Sequence, residues 1–341
     1  MRTALRVLAG ILGVVIAVPL GLLSVAGVQY LRNDNPIGLP PPHGPHPVGR
    51  VPVDWQDPAR HRELMVFLWY PARDGATGPR SEYIPGKWGE LAAQGMFPIP
   101  AKRLREIRSS AIENAPLIDS AVPVLVMLPG MGRIPAHYTT FAEELASYGY
   151  FVAGVTPTGS SRPVVFPDGR TVEGSDEDLS DHAKAQQLIE IWAGDASFTL
   201  DELRRDQRFS SHLDAARIGI FGHSFGGDVA ARVPHRDRRF LRAVDLDGAF
   251  WGDSPEKFDK PLLILEGAEG SGTIDRSICD RDRTKCEVRT FLKAKHMNFS
   301  DASILPSRFP LPKAMMLLGD VNGPQFLREV SDALRGFFDQ K

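Results

Sequence analysis

Apolar and polar positions alternate along this chain in three distinct ways. From Val7 to Val28 the chain is apolar almost throughout, with Ser24 its one clearly polar side chain and Arg2 and Arg6 just before it. Residues 31–49 are dense in Pro and Gly and poor in apolar side chains. From about residue 50 the pattern becomes short apolar runs separated by longer amphipathic stretches. Continuous runs bounded by Gly, Pro or charge predict strands covered on both faces. They lie at 64–70 (ended by Pro71), 122–128, 150–155, 217–221, 241–246, 261–265 and 288–292. Helical spacing predicts a helix over 141–147, ended at Gly149. A closing helix from Pro324 puts Phe326, Val330, Leu334 and Phe337 on one stripe. Strands alternating with helices predict an α/β fold with a mostly parallel central sheet and helices on both faces. Residues 76–120 and 157–212 are long and charged. They read as cap or rim insertions shaping access to a site.

The first segment spans roughly 33 Å as a helix, about the thickness of a bilayer core. Residues 1–30 therefore read as a transmembrane anchor, with a cleaved signal peptide as the alternative because Ser24-Val25-Ala26 has a small-x-small pattern. Both readings keep Arg2 and Arg6 on the cytoplasmic side and export the body, either membrane-anchored or secreted. Residues 31–49 read as a spacer of extended polyproline character around Pro40, Pro41 and Pro42. His43 and His46 within it make no metal site, since a flexible spacer does not preorganise ligands. The remainder, 50–341, is one domain.

Composition narrows the function. Of 341 residues, 43% are hydrophobic and 24% charged, which suits a globular core, and the net charge of −2 offers nothing to nucleic acid. Cys279 and Cys286 stand seven positions apart in a loop rich in Asp and Arg. In an exported protein they predict a local disulfide, and their spacing matches neither a redox motif nor a zinc site.

The chemistry gathers in Gly222-His223-Ser224-Phe225-Gly226-Gly227, a G-x-S-x-G pattern between an apolar strand and a helix rich in small residues. A serine nucleophile must project from a tight, strained strand-to-helix turn, and Gly222 and Gly226 keep bulk away from it. The order along such chains is Ser, acid, His. Of nine His residues only His235 and His296 follow Ser224, and His235 comes too soon for a strand to supply an acid between them. His296 is therefore the expected base. The acid is open between Asp247, at the end of the 241–246 run, and Glu266 or Glu269, at the end of the next. Asp245 shares the face of Asp247 but lies deeper. Two backbone donors are needed for an oxyanion hole, and they are expected from Phe225 and from Met131 in Pro129-Gly130-Met131-Gly132.

Four segments together resemble the plasma-type (isoform II) platelet-activating factor acetylhydrolases and their bacterial relatives. They are LMVFLWYPA from Leu64, VLVMLPGMG with ELASYGYFVAGV, ARIGIFGHSFGGDVAAR, and the pair AVDLDGAFWG and KHMNFSD. The likeness covers roughly residues 50–340 and implies an α/β-hydrolase fold. It implies Ser224 as nucleophile, Asp247 as acid and His296 as base, with the amides of Phe225 and Met131 as the oxyanion hole and no metal or other cofactor. Relatives often carry His where Pro129 stands, so the phospholipid preference of that family does not transfer directly. The expected activity is hydrolysis of short-acyl esters or lipids. The alternatives are a serine peptidase or acyltransferase on the same fold, or a silent membrane-anchored binding protein.

Overall fold

Each of the seven apolar runs read as strands from residue 64 onward lies within or largely within a strand. The computed structural model describes residues 38–95, 106–160, 163–174, 178–253, 257–269, 279–280, 284–307 and 317–340. The strands are β1 (Val48–Asp57), β2 (Arg62–Pro71), β3 (Arg80–Glu82), β4 (Arg108–Glu113), β5 (Val122–Leu128) and β6 (Phe151–Thr156). They continue with β7 (Val164–Val165), β8 (Thr171–Val172), β9 (Leu213–His223), β10 (Arg242–Leu246), β11 (Leu262–Glu269) and β12 (Cys286–Lys295). The described helices are α1 (Lys87–Gly95), α2 (Thr139–Ser147), α3 (His182–Arg205), α4 (Phe225–Arg236) and α5 (Gly323–Phe338).

Ten strands form one sheet in the order β12-β11-β10-β9-β5-β6-β2-β1-β4-β3. From β12 to β6 all neighbours run parallel, and antiparallel pairing begins at β2. Alternation within the apolar runs explains why both faces are covered. On β2, Met65, Phe67 and Trp69 enter the core shared with α2 and α5, while Leu64, Val66, Leu68 and Tyr70 enter the one shared with α3 and α4. On β5, Leu125 and Met127 take the first side and Val124, Val126 and Leu128 the second. Side chains two apart share a face of a strand.

The described parts of the charged stretches belong largely to the body of the fold rather than to a cap or rim. Residues 76–120 supply β3 and β4, which extend the sheet beyond β1. Residues 157–212 supply the small β7–β8 hairpin and α3, a helix of 24 residues whose Leu188, Ile189, Trp192, Ala196, Leu200 and Leu203 are buried in the second core. Charge in this stretch misled because some of it is internal. Asp195, fully buried on α3, accepts from Arg62 Nε and Nη2 (2.7 and 2.5 Å) and from Arg60 Nη1 (2.9 Å). A buried carboxylate is tolerated when its oxygens are paired in this way.

The spacer is shorter than expected. The His43 amide donates to Glu144 Oε2 (2.9 Å), the Gly44 amide to Ser147 Oγ (2.9 Å) and the His46 amide to the Ser147 carbonyl (3.1 Å). Extended Pro-rich backbone leaves its amides unpaired, and the end of α2 meets them with two side-chain oxygens and one carbonyl left free by the helix end. Cys279 and Cys286 are joined in a disulfide. The apolar run Val7–Val28 lies outside the described residues. Among those described, no helix is long and apolar enough to cross a membrane.

Candidate active site

Four neighbouring or nearby strands deliver the singled-out residues to one end of the sheet. β5 runs into Pro129–Gly132, β9 into Ser224, β10 into Asp247 and β12 into His296. Carboxyl ends of parallel strands are where loops of open α/β sheets carry function.

Ser224 turns directly from β9 into α4 with φ +56° and ψ −126°, outside the regions a side chain prefers. Its amide donates to the Leu246 carbonyl (3.0 Å), and its own carbonyl accepts from the Gly227 amide (2.8 Å). The turn closes only because of its glycines. A Cβ on Gly222 would overlap the Gly226 carbonyl, and one on Gly226 would overlap the carbonyl oxygen of Pro129. The elbow therefore packs backbone to backbone against the end of β5.

His296 begins the turn after β12. Its Nδ1 donates to Asp247 Oδ2 at 2.7 Å. The other carboxylate oxygen, Oδ1, accepts the Gly267 amide at 2.7 Å, and the Asp247 amide donates to the Leu265 carbonyl. Asp247 also has positive φ (51°), and its side chain is almost wholly buried while that of His296 keeps 14% exposure. With Nδ1 donating to the carboxylate, Nε2 is left as the free lone pair of a neutral ring.

Glu266, Asp245 and His235 have other partners, and Glu269 is placed by its backbone pairing alone. Glu266 Oε1 accepts from Thr290 Oγ1 (2.6 Å), across the β11–β12 pairing. Glu269 lies past the irregularity in that pairing, opposite Lys295. Asp245 Oδ1 accepts the Gly248 amide at 2.8 Å, and burial, with the nearby Asp228 charge, pushes its carboxyl well above the usual range. His235 pairs with Asp259 on the exposed side of α4 (2.7 Å).

The Pro129–Gly132 turn stands against the elbow. A Cβ built on Gly130 would lie 3.3 Å from Ser224 Cβ. The Gly130 amide donates to Tyr138 Oη (3.0 Å) and the Gly132 amide to the Ser160 carbonyl (3.1 Å). Among the described residues no acceptor bonds the Met131 amide between them. Phe225 opens α4, so its amide is one of those a helix leaves without an internal partner. The Phe225 ring is wedged edge-on to Trp192 (5.0 Å between centroids) and beside Trp251 (5.6 Å). Met131, Phe250 and Trp251 are partly buried against the same second core. These aromatic positions were missed as site residues, although AFWG directly after Asp247-Gly248 puts two large rings one turn from the acid candidate.

Two further residues emerge only in three dimensions. His223 and Tyr138 are both buried, their rings meet through a 2.8 Å hydrogen bond, and the His223 ring lies 4.5 Å from that of His296. Among the described residues no group of three or more His, Cys, Asp or Glu is placed to hold a metal ion.

No family model matches the chain. Among curated proteins it is 22% identical to the platelet-activating factor acetylhydrolase of Cavia porcellus, over 89% of this chain and 77% of that one. It is 25% identical to a probable 1-alkyl-2-acetylglycerophosphocholine esterase of Arthroderma benhamiae, over 63% of this chain and 60% of the other. Among solved structures it superposes on a ferulic acid esterase from Streptomyces cinnamoneus with a TM-score of 0.74 and 28% identity, covering 89% and 92% of the two chains. A dienelactone hydrolase-like promiscuous phosphotriesterase from metagenomic libraries shares the fold at 14% identity (TM-score 0.52; 85% of this chain, 97% of the other). The chain is an α/β-hydrolase of the carboxylic-ester hydrolase class, similar to the platelet-activating factor acetylhydrolases.

Proposed function

We propose that the protein is a serine esterase that cleaves short-acyl esters through Ser224, His296 and Asp247. The observation that carries this reading is the 2.7 Å bond from His296 Nδ1 to buried Asp247, at the sheet end where Ser224 is held at positive φ. Asp247 holds the imidazole in the tautomer whose Nε2 can accept a proton, and it stabilises the ring once charged. Ser224 Oγ attacks the ester carbonyl carbon as His296 Nε2 takes its proton. The tetrahedral oxyanion is held by the Phe225 and Met131 amides. The C–O bond to the alcohol then breaks, with His296 returning the proton to the leaving alkoxide, and an acyl-serine remains. Water, deprotonated by His296, attacks that acyl group. Serine leaves with the proton and the acid is released.

A second substrate reading, an ester of an aromatic acid, is favoured by Trp251 lying half-buried beside Phe225. The likeness to a ferulic acid esterase also supports it. Turnover of p-nitrophenyl acetate, a short-acyl phospholipid and methyl ferulate under one set of conditions separates the two. Labelling by a fluorophosphonate probe tests the nucleophile. Modification at Ser224 is expected, and an unreactive, folded protein would leave only a silent scaffold. The apolar run Val7–Val28 and the Cys279–Cys286 bridge support a location outside the cytoplasm, tethered or secreted. Recovery of the mature chain in a cytosolic fraction would contradict that placement.

A further inference from the structure

The proposed chemistry leaves one buried polar cluster beside Ser224 unused. His223 precedes the nucleophile and is 2% exposed, Tyr138 is 1% exposed, and between them they bridge three separate segments. The Gly130 amide lies 3.0 Å from Tyr138 Oη, Tyr138 Oη 2.8 Å from His223 Nδ1, and His223 Nε2 3.0 Å from the His296 carbonyl oxygen.

The proton positions follow from which atoms can donate. An amide only donates, so Gly130 gives its proton to the Tyr138 oxygen. A carbonyl only accepts, so His223 Nε2 carries a proton directed at His296. A neutral ring protonated at Nε2 has a lone pair at Nδ1, and this takes the Tyr138 hydroxyl proton. The chain Gly130 → Tyr138 → His223 → His296 is thus satisfied in a single tautomer. Burial, then the neighbouring His296, hold the His223 ring well below the ordinary histidine range, so it stays neutral. A neutral neighbour is what a ring 4.5 Å away needs when it takes up the serine proton.

We propose that His223 is a positioning residue that, with Tyr138, locks the Met131-bearing turn and the His296 backbone onto the nucleophile elbow. The proposal rests on the reading of Ser224 and His296 given above. Side-chain packing alone would not require both ring nitrogens to be bonded, nor their partners to be the two segments that flank the nucleophile.

The test uses the full chain with p-nitrophenyl acetate. His223→Phe keeps a ring and removes both bonds. Its kcat is expected to fall on the order of 10²-fold, with KM nearly unchanged, because catalytic geometry rather than binding is lost. His223→Gln places a donor near the position of imidazole Nε2 and should recover about tenfold of that loss. Tyr138→Phe removes one hydroxyl, leaving the fold intact. It should lower kcat about tenfold and weaken inhibition by a boronic acid, an oxyanion mimic, by a similar factor. Imidazole nitrogen NMR on the unmodified protein, assigned by difference with His223→Gln, should show a neutral Nε2–H ring at neutral pH and below the ordinary histidine value of 6.5. Normal kcat in folded His223→Phe, or normal kcat and boronate affinity in Tyr138→Phe, would overturn the proposal. So would a charged or Nδ1–H ring at neutral pH, which decides the matter even where His223→Phe fails to fold. If Ser224→Ala keeps activity, the underlying reading fails instead. An inactive Ser224→Ala beside an unimpaired His223→Phe condemns only the positioning role.

Discussion

Two pockets at the end of β10 hold the same side chain in opposite circumstances. Asp247 has a partner on each carboxylate oxygen, the His296 ring on one and the Gly267 amide on the other. Asp245 has the Gly248 amide on one oxygen, and its second oxygen is buried with no bond among the described residues. Asp228 stands nearby, itself pushed up to about 6 by burial despite its bond to Arg232. A shift of two residues along the chain therefore separates a carboxylate bonded to an imidazole from a carboxyl that burial and the nearby Asp228 charge push well above the usual range. Residue type and burial are shared, and the partners make the difference.

That contrast can be broken by substitution. Ser224→Ala sets the scale, with an expected loss in kcat on the order of 10⁶ if nucleophile, base and acid act as a unit. Asp247→Asn should cost on the order of 10⁴ in kcat, because an amide facing Nδ1 favours the wrong tautomer. Asp245→Asn should leave kcat close to that of the unmodified enzyme, since an amide oxygen can still accept the Gly248 amide and burial already disfavours the charged form. Equal losses in steady-state assays of the two Asn variants would erase the distinction.

Stability against pH sharpens it. Asp245 holds its proton more tightly folded than its ordinary value of 3.8, so the unfolded chain releases that proton first as pH rises. The stability it lends is complete below about pH 4 and declines as pH climbs toward the raised value. Asp245→Asn lacks this decline, so its Tm should gain on the unmodified protein as pH increases above about 4. A constant Tm difference across pH would contradict the assignment. The smallest effect on activity belongs to the disulfide. Replacing Cys279 and Cys286 by Ser should lower stability by about 2 kcal/mol in denaturant unfolding and leave kcat unchanged, since the loop it closes is short and supplies none of the proposed triad or oxyanion-hole residues.

Much of the fold was legible because buried strands need long apolar runs and few other segments tolerate them. The 122–128, 150–155 and 217–221 runs lie in β5, β6 and β9, and the stripe from Phe326 to Phe337 is the buried face of α5. Misreading came where charge is buried. Asp195 adds to the charge that made α3 read as part of a cap or rim, and local pattern does not reveal that it meets Arg62 from 133 positions away. The candidate nucleophile and base were legible from motif and chain order. Choosing among Asp247, Glu266 and Glu269 by spacing was not possible, because each follows closely on an apolar run. The resemblance pointed to Asp247, which is the one bonded to His296.

The order of residues along the chain, by itself, determined the strand-and-helix alternation, the elbow at Ser224 and the two cysteines close enough to join, because each depends on neighbours a few positions away. Which carboxylate meets His296, and how Tyr138 comes to bond His223 from 85 positions away, was decided by the assembled sheet. Hydrogen bonds reach about 3 Å and take no account of chain separation, so only the packed strands bring such partners within range.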